Sequence, residues 1–198
     1  MTRGDHDLVL TPACNRLKPS AMSETGSSQG AGSGASPVPP ADGEAILWTD
    51  GAARGNPGPA GCGAILKTAD GRVLAAESQY LGHTTNNVAE YKALLLGLTR
   101  ALEAGVRRIE VRADSELLIR QLKGEYRVKN EGLKPLAAEA KALLARFESF
   151  RLKHVRRELN TEADQLANEG IDRGSALSSS PASSGRARAS NTSKSGDK

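Results

Sequence analysis

Residues 46–61 read ILWTDGAARGNPGPAG, an apolar run that enters an aspartate and then passes through a glycine- and proline-rich segment. The apolar runs on both sides predict strands, and the segment between them predicts a turn. Asp70–Gly71 is typical of a hairpin turn into a third strand. Together they predict a three-stranded antiparallel meander with strands at Ile46–Thr49, Gly61–Leu66 and Arg72–Tyr80.

After this meander the apolar pattern changes its period. From Asn87 to Gly105, apolar residues recur at alternating steps of three and four, which predicts an amphipathic helix closed near the glycine. Its apolar stripe comprises Val88, Tyr91, Leu95, Leu98 and Leu102.

The rest of the pattern predicts two more strands and three more helices. Arg107–Ala113 alternates apolar and charged residues as a strand does, and Asp114 or Ser115 caps the helix that follows. A helical stretch at Pro135–Phe147 and a strand at Phe150–Val155 come next. Asn160 or Thr161 caps a last helix, which has on one face Ala163, Leu166, Ala167 and Gly170. The order β-β-β-α-β-α-α-β-α predicts an α/β fold, a mixed five-stranded sheet flanked by helices.

Composition divides the 198 residues into one domain with two tails. Residues 1–43 and 175–198 are rich in Ser, Gly, Pro and Ala and poor in large apolar side chains, so they are predicted to be disordered. The folded domain is predicted at 44–174, which is long enough for one core.

The net charge of +4 suits a nucleic-acid partner, but the predicted domain is nearly balanced and an ordinary soluble protein fits equally well. The two cysteines, Cys14 and Cys62, give no disulfide framework and fit a reducing compartment. No run of about 18 to 20 apolar residues is present, so neither a membrane span nor a secretory signal is predicted. We expect a cytoplasmic protein.

Four carboxylates, Asp50, Glu90, Asp114 and Asp164, are separated by 40, 24 and 50 residues. The pattern puts two of them at strand ends and two in the first turns of helices. Magnesium prefers such hard oxygen ligands, and two-metal phosphoryl chemistry needs several carboxylates to bridge and flank an ion pair. Each acid alone is more simply explained as a helix cap or turn residue, yet all four in order favour a metal site.

Several blocks of the sequence resemble type 1 ribonucleases H, in particular the shorter branch that lacks a basic protrusion. They are TDGAARGNPG at 49–58, TTNNVAEY at 84–91, ADS at 113–115, GEYRVKN at 124–130 and HVRRELNTEADQLAN at 154–168. The similarity covers about 46–172 and implies a ribonuclease H-like fold. It also implies endonucleolytic hydrolysis of the RNA strand of RNA–DNA hybrids, leaving 3′-hydroxyl and 5′-phosphate ends. The implied cofactors are two Mg²⁺, which Mn²⁺ can replace, held by the four carboxylates with Asp50 bridging.

The resemblance also implies a set of substrate-binding residues. The 2′-hydroxyl of the RNA strand, which distinguishes RNA from DNA, would be sensed near Gly51, Asn56, Asn87 and Ser115, together with Glu90. Thr85 and Asn86 would hold a DNA-strand phosphate. Simpler alternatives are a turn role for Asn56 before Pro57 and a helix N-cap role for Asn87.

Two residues are candidates for assisting product release. His154 lies ten residues before Asp164, the spacing of a mobile histidine in some members of the family, but the glycine-rich loop of those members is missing and His154 can equally end the fifth strand. Arg157 is the other candidate, with ordinary solvated charge as the alternative. A basic C-terminal tail could strengthen hybrid binding, although a solubilising tail explains it more simply.

These observations predict a monomeric, magnesium-dependent ribonuclease H. Two alternatives stay open: another nuclease on the same fold, such as a junction resolvase or an exonuclease, and a non-catalytic module that binds hybrids or docks a partner.

Overall fold

The computed structural model describes residues 43–178. Residues 1–42 and 179–198, all predicted to be disordered, lie outside the described part of the chain. The predicted C-terminal boundary at 174 falls inside a helix, because residues 175–178 continue the last helix of the domain. Within 43–178, none of the helices combines the length and the apolarity needed to cross a bilayer.

One sheet of five strands organises the molecule, in the spatial order β3-β2-β1-β4-β5. The first three strands are antiparallel, whereas β4 runs parallel to β1 and β5 runs parallel to β4. The predicted α/β class and element order are therefore confirmed. The strands are β1 Glu44–Ala53, β2 Gly58–Lys67, β3 Val73–Thr84, β4 Arg108–Ala113 and β5 Ser149–His154; the helices are α1 Asn86–Glu103, α2 Glu116–Lys123, α3 Lys134–Leu144 and α4 Thr161–Ser178, with a 3-10 turn at Arg157–Leu159.

The strands of the meander are longer than predicted. β1 continues past Asp50 to Ala53 because its end pairs with the start of β2, Asp50 opposite Gly63 and Ala53 opposite Ala60. Likewise β3 extends to Thr84, which pairs with Gly58. Neither extension was predicted, because each contains a glycine, which weakens the sequence pattern that predicts a strand.

Helix α1 packs against β1 and β2 on one side and against α3 on another. Of its predicted stripe, Tyr91, Leu95 and Leu98 are buried, while Val88 and Leu102 are half-buried against the core. Contact with α3 widens the buried face, which also takes in Ala89, Ala93, Leu94, Gly97 and Ala101. The predicted helix over Pro135–Phe147 ends earlier, at Leu144, and Phe147 is buried beyond it.

On the opposite face of the sheet, α4 packs closely against β2. A Cβ atom at Gly63 would come within 2.6 Å of the Ala167 backbone nitrogen, so only glycine lets the helix approach this near. Ala163 and Ala167 are fully buried in the contact and Leu166 is half-buried, which confirms the predicted face of the helix. This close packing fixes where the N-terminal turn of α4 lies relative to the sheet.

Candidate active site

Three of the four predicted carboxylates converge. Asp50, Glu90 and Asp114 each offer an oxygen, and these oxygens lie within 4.8 Å of one another. The convergence follows from topology: the parallel pairing of β1 and β4 ends at Thr49 opposite Ala113, so the next residue of each strand is an aspartate at the same edge.

A close approach between β1 and α1 brings in the third carboxylate. A Cβ atom at Gly51 would come within 2.7 Å of the carbonyl oxygen of Ala89, so a larger residue would push the helix away. Glu90 is only 6% exposed as a result.

The structure corrects the local setting of two of these acids. Asp50 was predicted at the end of its strand but lies inside β1, at the point where β1 loses its parallel partner and keeps its antiparallel one. Glu90 was predicted in the first turn of its helix, but α1 begins at Asn86, so Glu90 falls in the second turn and the first turn holds no acidic residue. The simpler explanation of Glu90 as a helix-terminal acid is therefore wrong.

Asp164 lies in the first turn of α4 as predicted, beside the three clustered acids rather than among them. Its Oδ1 accepts a hydrogen bond from Arg157 Nη2 at 2.7 Å, and its Oδ2 accepts one from Asn168 Nδ2 at 3.2 Å. Asp164 is still near enough to Asp50 to raise the pKa of that residue through both its charge and a side-chain hydrogen bond.

Burial and mutual repulsion together raise the pKa values of two of the clustered acids, Asp50 and Glu90. Burial raises the pKa of Asp50 to about 8, with further contributions from the charges of Asp114 and Asp164. Burial also raises the pKa of Glu90 to about 9, with the charges of Asp50 and Asp114 adding to it. Clustered carboxylates with raised pKa values are typical of sites that need a cation to be fully ionised.

A test of whether a divalent metal suits the site comes from one buried atom. Glu90 Oε2 is buried and has no hydrogen-bond partner among the described residues. A buried carboxylate oxygen without a partner is unfavourable, and Glu90 is one of three acids whose oxygens cluster within 4.8 Å, the kind of hard oxygen set that Mg²⁺ and Mn²⁺ bind. The residues present therefore fit a divalent metal.

Asn160 was one of two predicted caps of the last helix, and its side chain does something else. It is 1% exposed, and its Nδ2 donates to Asp114 Oδ1 at 3.1 Å and to the Thr49 carbonyl oxygen at 3.0 Å. The side chain thus turns away from the helix toward the acids. A position just before a helix signals a cap locally, and nothing local signals a contact with residues more than forty positions away.

The predicted substrate-binding residues fall into two groups. Asn56, Thr85 and Asn86 meet at the start of α1, where Asn56 Oδ1 accepts a hydrogen bond from the Asn86 backbone N–H at 3.2 Å. Thr85 is the N-cap, with its Oγ1 accepting from Val88 N–H at 3.4 Å, so Asn87 is not the cap.

The second group lies beside the clustered acids. Asn87 and Ser115 line one crevice together with Glu90, and Gly51 directly follows Asp50. Ser115 is also the N-cap of α2, where its Oγ accepts from Leu118 N–H at 3.4 Å. Asn87 is exposed and also lines a neighbouring cavity of about 460 Å³.

Both candidates for product release stand at the rim of the site. His154 ends β5, and its Nε2 lies 3.2 Å from the carbonyl oxygen of Asp114. Arg157 is 74% exposed and pairs with Asp164.

Comparison with known proteins gives one consistent family. The family model described as "reverse transcriptase-like" matches residues 48–170. Ribonuclease HI of Halobacterium salinarum is 40% identical over 134 residues, which cover 68% of this chain and 67% of that protein. A bifunctional protein of Mycobacterium tuberculosis is 44% identical over 128 residues, and the match spans only 35% of that relative's length.

Solved structures agree in fold. The N-terminal RNase H domain of the Mycobacterium tuberculosis protein matches with a TM-score of 0.66 at 41% identity, covering 69% of this chain and 99% of the solved one. LC11-RNase H1, solved in complex with an RNA/DNA hybrid, matches with a TM-score of 0.62 at 43% identity, covering 66% of this chain and 98% of the solved one.

Proposed function

The chain belongs to the type 1 ribonuclease H family, and from that premise we propose that it hydrolyses the RNA strand of RNA–DNA hybrids, leaving 3′-hydroxyl and 5′-phosphate ends. The observation that carries the proposal is the convergence of Asp50, Glu90 and Asp114 within 4.8 Å, with a buried, unpaired Glu90 oxygen. The hybrid as substrate is supported by the complex of LC11-RNase H1 with an RNA/DNA hybrid.

We propose two Mg²⁺ as cofactors, with Mn²⁺ able to replace them, and Asp50, Glu90, Asp114 and Asp164 as their ligands. Bound divalent ions supply a water activated for attack on phosphorus and stabilise the leaving 3′ oxygen. Asp50 would contact both ions, as the family resemblance implies, and the charges of Asp114 and Asp164 both act on it. Asp164 Oδ1 is paired with the Arg157 guanidinium, so a bound metal and Arg157 would both draw on the same carboxylate.

The two groups of predicted substrate-binding residues would recognise different parts of the hybrid. At the start of α1, the Thr85 hydroxyl accepts from Val88 N–H and keeps its own proton to donate, which suits a phosphate of the DNA strand at a helix N-terminus. Gly51, Asn87 and Ser115 stand beside the acids, where the 2′-hydroxyl next to the cleaved bond would lie. Asn56 would act through the hydrogen bond that holds its loop to Asn86.

Product release is a separate proposal. His154 and Arg157 are exposed at the edge of the acid cluster and carry side chains that can follow a departing phosphate. We propose that one of them does so. Arg157 already forms an ion pair with Asp164, one of the proposed metal ligands. We also propose that the protein acts as a monomer, since all four acids come from a single chain.

A cleavage assay on four labelled substrates tests the function. The protein with Mg²⁺ is expected to cut the RNA strand of an RNA–DNA hybrid and to leave duplex DNA, duplex RNA and single strands intact. Asp114→Asn should abolish cleavage while keeping hybrid binding, because the cluster loses one metal ligand. Asp172→Asn makes the same chemical change at an exposed ion pair with Arg54 and should cleave normally.

Each contrary outcome points to one alternative. Cleavage of branched or duplex DNA would favour a junction resolvase or exonuclease on the same fold. Hybrid binding without cleavage in Mg²⁺ or Mn²⁺ would favour a binding module. Normal cleavage by Asp114→Asn would reject the assignment of the site.

A further inference from the structure

One buried amide connects the elements that carry the acids. The side chain of Asn160 lies between β1, the end of β4 and the start of α4, and only 1% of the residue is exposed. Its Nδ2 donates to the Thr49 carbonyl oxygen, one residue before Asp50, and to Asp114 Oδ1. The main-chain carbonyl oxygen of Asn160 accepts a hydrogen bond from the backbone N–H of Asp164 at 3.1 Å.

The chemistry of its partners fixes the orientation of this amide. A backbone carbonyl only accepts hydrogen bonds, and an ionised carboxylate does the same, so the NH₂ group must face both Thr49 and Asp114. The other end of the amide gains nothing from the arrangement, because Asn160 Oδ1 is buried without a partner among the described residues. Among the described residues, the hydrogen bonds of this side chain are therefore the two that it donates to Thr49 and Asp114.

We propose that Asn160 is a positioning residue for the metal site: its side chain sets the place of Asp114 relative to Asp50, from the position where α4 begins. This inference rests on the proposed function. Groups that hydrogen-bond to metal ligands orient them, and removing such groups typically weakens metal binding or activity about 10- to 100-fold. The side chain of Asn160 does so for Asp114, whereas its main-chain bond to Asp164 is the first hydrogen bond of α4, which any residue at this position makes.

Two variants separate positioning from packing. Asn160→Ala removes both donated hydrogen bonds. Asn160→Asp keeps the size and shape of the side chain but turns an acceptor toward the Thr49 carbonyl and the Asp114 carboxylate. Tyr91→Phe is the matched control, because it removes another buried side-chain hydrogen bond, from Tyr91 Oη to Gln121 Oε1 at 2.8 Å, which does not involve an acid of the cluster.

The first readout is the affinity of the full-length, substrate-free protein for Mn²⁺, measured by titration calorimetry. Asn160→Ala is expected to bind Mn²⁺ about 10- to 100-fold more weakly, and Tyr91→Phe as tightly as the unsubstituted protein. The second readout is hybrid cleavage at saturating Mn²⁺, where both Asn160 variants should lose at least about tenfold in kcat with little change in KM. For Asn160→Asp only kcat is compared, because its added negative charge itself attracts cations.

Thermal unfolding of each variant shows whether that variant is folded. If Asn160→Ala does not fold, Asn160→Asp decides alone. Unchanged Mn²⁺ affinity and kcat in the folded Asn160 variants, losses no larger than those of Tyr91→Phe, or failure of both variants to fold would each overturn the proposal. Should the unsubstituted protein bind Mn²⁺ without cleaving hybrids, the proposed function would fail while the Mn²⁺ affinities still test the role of Asn160.

Discussion

Glu90 places a carboxylate where folding alone would favour an uncharged side chain. It is 6% exposed, one of its oxygens has no partner among the described residues, and burial raises its pKa to about 9. Asp50 is in a similar position, with a pKa raised to about 8. The acids at the centre of the site therefore carry a stability cost that binding of a cation would relieve.

The sign of this cost follows from proton linkage. A carboxyl whose pKa is higher in the folded state keeps its proton over a pH range in which the unfolded chain has lost it, so the free energy of unfolding falls as pH rises through that range. For Glu90 the range runs from its ordinary pKa of 4.5 to the raised pKa of about 9. We expect Glu90→Gln to be more stable than the unsubstituted protein in EDTA, with a difference in Tm that grows from pH 5 to pH 9.

Thermal unfolding across pH measures the stability cost of Glu90, and a cleavage assay measures its contribution to activity. Glu90→Gln should have lost hybrid cleavage while gaining Tm, as expected where function opposes stability. Glu139 is an exposed acid outside the cluster and provides the control. Glu139→Gln should shift Tm little at any pH. A Glu90→Gln variant less stable than the original at pH 9 would contradict the assignment of a raised pKa.

Metal binding should depend on pH in the opposite direction. The metal requires ionised ligands, so at pH 6 it must displace protons from Asp50 and Glu90, and at pH 9 it displaces few. We expect the rise in Tm on adding Mg²⁺ at fixed concentration to be larger at pH 9 than at pH 6. A Mg²⁺-induced rise that is equal at the two pH values would mean that these acids are not the ligands.

At the scale of whole elements, the approach of α4 to β2 places Asp164. Gly63 allows this approach, since a Cβ atom there would come within 2.6 Å of backbone on α4. We expect Gly63→Ala to reduce the free energy of unfolding by about 1–3 kcal/mol, because neither backbone can yield easily. Cleavage should fall as well, since the first turn of α4 moves with the helix.

Gly132→Ala is the matched control for that substitution. Gly132 is exposed, and the nearest atom to an added Cβ is the side-chain oxygen of Asn130 at 3.3 Å. Its effect on stability should stay within about 0.5 kcal/mol, as for ordinary surface substitutions. Urea unfolding of the two variants makes the comparison, and equal losses would show that the α4 contact is loose.

The elements also show what the sequence could and could not predict. Element order and the buried face of α4 were predictable because each depends on periodicity within one segment. Glu90 was misplaced by a turn because Thr85, rather than a residue nearer Asn87, caps the helix. Asn160 precedes α4 as predicted, but its side chain bonds Thr49 and Asp114, and the pattern of a single segment carries no information about such distant partners.

At the scale of the whole molecule, the chain combines a nearly neutral domain with a basic end. Residues 179–198 hold Arg186, Arg188, Lys194 and Lys198 against one acidic residue. Basic groups that contact nucleic-acid phosphates make binding salt-dependent, with a slope of about −0.7 to −0.9 per phosphate on logarithmic scales. Salt dependence therefore reports whether this end takes part in hybrid binding.

We expect removal of residues 179–198 to leave Tm, kcat and the salt dependence of hybrid KM unchanged, as for a solubilising segment. The buried core of the described residues and all four acids lie within 43–178. Measuring KM between 50 and 200 mM salt checks the expectation, and a replacement of the four basic residues by Ser in the full chain gives the control. A shallower slope in either variant would assign the tail to hybrid binding.

The acids come from both ends of the fold: Asp50 from its first strand and Asp164 from its last helix, which Asn160 introduces. Because the ribosome makes a chain from its N-terminus, a growing polypeptide holds Asp50, Glu90 and Asp114 well before the remaining parts of the site exist. A half-made or prematurely stopped chain therefore lacks the amide and the fourth acid. On the proposed set of four ligands, a chain still being synthesised would not cleave hybrids until its last helix has been made.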